Sequence, residues 1–100
     1  MAERYLKSRG FKIIARNFAT RFGELDIIAR KSRTLVFVEV KGGTSQRIRP
    51  RSRLDPSKFS KMRKVAEYFL KTYEGTYEAV RFDLIEVYNG EVLHVENIHL

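Results

Sequence analysis

Cysteine is absent from these 100 residues, which excludes disulfides and thiolate metal sites and suits a reducing compartment. No apolar run approaches the roughly 20 residues a membrane-spanning helix needs. The first residues also lack the charged-then-apolar pattern of a secretory leader, so a cytoplasmic protein without a membrane partner is expected. Internal repeats, low-complexity stretches, glycine-rich phosphate loops and Ser-His-Asp arrangements are missing as well. Acidic residues are scarce. They number 12 against 20 lysines and arginines, a net charge of +8. That surplus on a small surface points to a polyanionic partner, nucleic acid first, with an anionic membrane surface or plain solubility as alternatives. A hydrophobic content of 43% excludes a disordered chain, and one domain over residues 1–100 with a modest core is expected.

The stretch GELDIIARKSRTLVFVEVK, residues 23–41, reads as two strands folded about Lys31-Ser32-Arg33-Thr34. The register that pairs Ile27 with Val38 and Ala29 with Val36 keeps apolar residues opposite one another, and a slip of one would set them against charges. It also sets Leu25 against Val40, and Asp26 against Glu39 at a Cβ separation of roughly 4.5–5.5 Å. Alternation with period two groups Glu24, Asp26 and Ile28 on one face, and Leu35, Phe37, Glu39 and Lys41 on one face of the partner strand. Facing carboxylates repel, so a positive charge belongs between them. A divalent cation would serve, because hard cations take carboxylate oxygens, with Lys41 beside it for a phosphate oxygen or a water. The competing reading is structural: Glu24 would bridge to Lys41, and Asp26 would pair with an arginine.

Around this hairpin, Ala2, Tyr5 and Leu6 form a helical stripe that Gly10 is placed to end, so residues 1–9 read as a helix. Glu3 lies beside the stripe as a candidate third carboxylate, or as a solvated one. Residues 11–18 are apolar and β-branched and read as a strand, with 19–21 a connection. After Lys41 comes a long segment with arginine at every second position, Arg47, Arg49, Arg51 and Arg53. It suits backbone phosphates, which arginine grips in a bidentate way. Asp55-Pro56 opens a helix, with Phe59, Met62, Ala66, Phe69, Leu70 and Tyr73 on its apolar face. Lys61 and Lys64 lie on the other side. Lys58 sits in the first turn, where a cation opposes the helix dipole, a hint that it has an anion to meet. Residues 79–88 alternate as a strand, Asn89-Gly90 is a hairpin turn, and 91–98 returns. Arg81 and Asp83 are expected to brace each other or a neighbour. His94 and Glu96 share a face of this last strand, an edge position that favours solvent over a metal.

The order helix, three strands, long loop, helix, two strands (α-β-β-β-α-β-β) resembles the restriction-endonuclease-like core, a mixed central sheet flanked by helices. More narrowly, NFATRFGELDIIARKSRTLVFVEVK, PSKFSKMRKVAEYFL and RFDLIEV resemble the YraN family of small bacterial proteins. That family is similar to archaeal Holliday-junction resolvases and other nucleases with an Asp…Glu-x-Lys motif. The resemblance implies Asp26 and Glu39 as ligands of Mg2+ or Mn2+, completed by the Val40 carbonyl, and Lys41 as the catalytic lysine. Related resolvases add a glutamate from the first helix, and Glu3 is the acid available here. A metal-dependent endonuclease is therefore expected, acting on DNA ahead of RNA, with branched DNA as one candidate substrate. Arg47, Arg49, Arg51, Arg53, Lys58, Lys61 and Lys64 would hold the nucleic acid. Cutting a junction symmetrically needs two such sites, hence a homodimer. The alternative is a binding module that keeps the fold without the chemistry.

Overall fold

In the computed structural model residues 1–43 and 56–99 are described. They form α1 (Ala2–Ser8), β1 (Lys12–Thr20), β2 (Gly23–Lys31), β3 (Thr34–Gly43), α2 (Pro56–Thr72), β4 (Ala79–Tyr88) and β5 (Glu91–Val95). The strands make one sheet in the order β1-β2-β3-β4-β5. All neighbours are antiparallel except β3 and β4, which are parallel. A parallel pair needs a crossover, and α2 provides it. This mixed α/β sheet flanked by helices has the restriction-endonuclease-like topology.

The sheet is covered on both faces, so its strands bury alternate residues on opposite sides. Ile28, Leu35, Phe37 and Leu84 pack under Phe59, Met62, Val65, Ala66 and Phe69 of α2. Ile27, Ala29, Val36, Val38 and Ile85 pack with Ala2, Leu6 and Phe11 on the α1 side. Gly10 ends α1 at φ 91°. The Phe11 N–H reaches the Leu6 carbonyl and the Gly10 N–H the Lys7 carbonyl, the two bonds of a Schellman cap. Asn89 and Gly90 both take positive φ, the conformation a two-residue hairpin of this twist requires.

Four details depart from the sequence reading. β1 runs on to Thr20, through residues expected as a connection, because the Thr20 hydroxyl takes the Phe22 N–H and tightens the turn to two residues. β5 stops at Val95 rather than Ile98, since Asn97 turns to positive φ and gives its N–H to Asp83. Leu25 does not share a face with Ile27; it is buried with Ile28 beneath α2, so the alternation breaks at Asp26. Finally, His94 is not wet. Its side chain is 5% exposed, with Nε2 2.7 Å from Asp83 and Nδ1 3.1 Å from the Tyr5 hydroxyl. Edge position misled here because α1 covers that edge. The expected brace between Arg81 and Asp83 is present, with two contacts of 3.0 Å.

Candidate active site

The break at Asp26 is what builds the site. On β1, Arg16 pairs with Ile27 and Phe18 with Leu25, but Asn17 between them turns to φ 49° opposite Asp26. The β2–β3 ladder runs from Lys31 and Thr34 only as far as Ile27 and Val38. β3 continues alone with β4 to Gly43 and Tyr88. The register read from the sequence therefore holds for Ile27 and beyond, while the Asp26–Glu39, Leu25–Val40 and Glu24–Lys41 ladder pairs are not formed. Two strands that part leave backbone donors without partners. Asp26 fills that gap: its Oδ2 accepts the Val40 N–H at 2.7 Å. In a strand the N–H and C=O of one residue point toward the same neighbour, so the Val40 carbonyl faces the same opening.

The parting opens a cleft of about 560 Å³, lined by Gly23, Glu24, Asp26, Glu39 and Val40 from the sheet and Ser57, Lys58, Lys61, Met62 and Val65 from α2. Glu39 is 7% exposed. Burial pushes its carboxyl above the usual carboxylate range, and the nearby Asp26 charge adds to that push. Lys58 and Lys41 act in the opposite direction. Lys58 Nζ is 2.7 Å from Glu39 Oε2, so the anion that the first-turn lysine implied is Glu39. Lys41 follows Glu39 on the same face of β3, close enough for its charge to act on that carboxyl.

The described residues bring together Asp26, Glu39 and Val40 with Lys58 and Lys61. They leave Glu3 elsewhere. On α1 its carboxylate holds the Arg16 guanidinium in two contacts, Nε to Oε1 at 2.7 Å, and stands 3.3 Å from Lys7. The Arg16 contact holds the Glu3 pKa down to about 2. Lys64 points toward Phe22, its Nζ 5.7 Å from the ring centre. Arg47, Arg49, Arg51, Arg53 and the expected helix cap Asp55 lie outside the described residues. Among the described residues no ion pair joins Glu24 to Lys41 or Asp26 to an arginine. Ser57 and the Asn17 kink carried no signal in the sequence that marked them as part of the site.

Among the described residues no group of three or more His, Cys, Asp or Glu side chains is placed to hold a metal. Two carboxylates and one backbone carbonyl lining a single cleft nevertheless match what magnesium takes from proteins, the remaining positions going to water and phosphate. The donor set is all oxygen and hard. It suits Mg2+ or Mn2+ and disfavours softer metals.

Residues 1–87 match the family model described as "Uncharacterised protein family UPF0102". The chain belongs to the UPF0102 family. A UPF0102 protein of Fervidobacterium nodosum is 44% identical over 98% of this chain and 75% of its own length. One of Kosmotoga olearia is 46% identical over 97% and 84%, and one of Pseudothermotoga lettingae 44% identical over 99% and 92%. The UPF0102 match spans the site strands and α2 alike. Together with the restriction-endonuclease-like topology and the +8 charge, it supports a nucleic-acid-binding protein. No helix among the described residues is long and apolar enough to cross a membrane.

Proposed function

We propose that this UPF0102 protein is a metal-dependent endonuclease that hydrolyses phosphodiester bonds in DNA, branched DNA included. The observation that carries the reading is the parting of β2 from β3, which turns Asp26 and Glu39 into one cleft, with Lys41 close enough for its charge to act on Glu39. A Mg2+ or Mn2+ ion held by Asp26, Glu39 and the Val40 carbonyl would polarise the scissile phosphate and acidify the attacking water. Lys41 stabilises charge that develops on the phosphate, a role a fixed cation performs well in a partly water-excluded cleft. Lys58 and Lys61 line the α2 wall and meet the flanking backbone phosphates.

The rival is a nucleic-acid-binding module that retains the nuclease fold without cutting. It draws on the lysine already seated on Glu39 and on the tie between Glu3 and Arg16. Both readings predict salt-sensitive binding, log K falling by about 0.9 per neutralised phosphate for each tenfold rise in salt on duplex DNA. They separate on metal. End-labelled duplex, single-stranded and four-way-junction DNA, with RNA counterparts, would be incubated in Mg2+ or Mn2+ beside the Asp26→Asn protein. Metal-dependent cuts that disappear in the variant, with DNA binding equal or tighter because a negative charge has left the phosphate path, are the expected result. Binding without cleavage on every substrate and in both metals would overturn the enzyme in favour of the module.

A further inference from the structure

Within the cleft, a cationic side chain already stands against one of the two proposed metal ligands. Lys58 projects from the first turn of α2 and its ammonium lies 2.7 Å from Glu39 Oε2. The two partners differ in their access to water: the lysine side chain is 48% exposed, the glutamate 9%. The buried member needs a cation, whereas the exposed one depends less on this contact. Its place at the positive end of α2, a 17-residue helix with no acidic residue in its first turn, weakens its hold further. Asp26, facing the same cleft, has one oxygen committed to the Val40 N–H.

We propose that Lys58 is an exchangeable counter-ion of the metal cleft: it neutralises Glu39 until a divalent ion takes its place, and the ammonium released then serves the phosphate of the bound nucleic acid. This rests on the reading of the cleft as a metal site and adds an order of events to it. Metal and lysine compete for one carboxylate, so each weakens the other's hold by the same factor. The released lysine and the polyanion then attract, so metal and nucleic acid strengthen each other's binding. Lys58 is a positioning residue in this scheme, since it acts on the metal through Glu39.

The test is Mn2+ titration by calorimetry, without nucleic acid, of the full chain and of its Lys58→Met, Lys58→Arg and Glu39→Gln variants. The methionine keeps the apolar stem and loses the charge, and circular dichroism melts confirm that each variant is folded. Lys58→Met is expected to bind Mn2+ more tightly by a factor in the common coupling range of about 5–150. Lys58→Arg, with its charge retained, should show no such gain, and Glu39→Gln should bind more weakly than the parent. Equal or weaker Mn2+ binding by Lys58→Met would overturn the exchange while leaving a metal site, and hence the nuclease reading, intact. Absence of Mn2+ binding in every protein would overturn both. Tighter binding in Lys58→Met, from a parent that cuts no substrate, would support the exchange and sink the nuclease alone.

Discussion

Asp83→Ala is expected to destabilise the fold by about 3–5 kcal/mol, the cost of breaking a buried ion pair from one side. Asp83 is fully buried, and its two oxygens serve four donors. Oδ1 takes Arg81 Nε at 3.0 Å and the Asn97 N–H at 2.9 Å, while Oδ2 takes Arg81 Nη2 at 3.0 Å and His94 Nε2 at 2.7 Å. Removing the acceptor strands all of them, His94 most severely because its side chain is 5% exposed. Set against a typical total of about 5–15 kcal/mol for a domain of this kind, the loss is a large fraction. Burial alone would raise this carboxyl, but the His94, Arg81 and Asn97 hydrogen bonds outweigh it and hold the pKa below its ordinary value. The sign follows: Asp83 contributes stability that is fully present above its unfolded pKa and is lost as pH falls through the lower folded one. Urea unfolding of parent and variant at neutral and acid pH measures both effects. A neutral-pH loss below about 1 kcal/mol, smaller than one ordinary hydrogen bond contributes, would show that the network is not the anchor described.

Glu39→Gln is expected to abolish metal-dependent cleavage and, in the absence of metal, to stabilise the protein. On the activity side, removing one proposed ligand takes away charge that would seat the ion, and the loss should exceed the factor of about 10²–10³ that deleting a single charge-stabilising donor costs. On the stability side, the raised pKa means that the folded state holds the Glu39 proton more tightly than the unfolded chain does. Ionisation of Glu39 at neutral pH therefore costs stability, and that cost appears as pH rises through the folded pKa. Glutamine removes it. Lys58 loses its Glu39 contact, but with its side chain 48% exposed that contact is a weakly stabilising one. A gain of about 0.5–2 kcal/mol is expected, the usual yield of a stabilising change. At ~4–8 °C per kcal/mol for a domain of 60–100 residues, it is visible as a higher melting temperature. A variant that melts lower and still cuts would refute both halves of the argument.

These two carboxylates also mark how far the sequence could be read. The hairpin register, the crossover helix and the Asn89-Gly90 turn follow from local patterns: apolar alternation, a proline after an acceptor, residues tolerant of positive φ. That Asp26 and Glu39 come to one place was legible from the register, although the ladder ends at Ile27 and Val38, before the two would pair. What broke that register was not. Whether β2 and β3 stay together past Val38 depends on Asn17 on a third strand and on the Val40 N–H finding a side chain in place of a backbone carbonyl. The first lies outside the hairpin, and the second, though Asp26 and Val40 both belong to it, is not set by apolar alternation. His94 was misplaced for a similar reason. Period two says which face a residue shares, but not that Tyr5, 89 residues away, arrives to cover it.

That separation has a kinetic consequence. The Tyr5–His94 bond closes nearly the whole chain into a loop, whereas α1 and β1 meet through neighbours in sequence and the β2–β3 and β4–β5 hairpins close locally. Contacts that enclose long loops pay their ordering entropy late, after local pairings have formed. The latch between Tyr5 and His94 is therefore expected to form on the native side of the folding barrier. Tyr5→Phe, which deletes the hydroxyl and keeps the ring, should speed unfolding and leave the folding rate nearly unchanged. Stopped-flow chevrons would display it as a shift confined to the unfolding arm. In that sense the first helix works as a lock on the finished sheet, closing last and opening first.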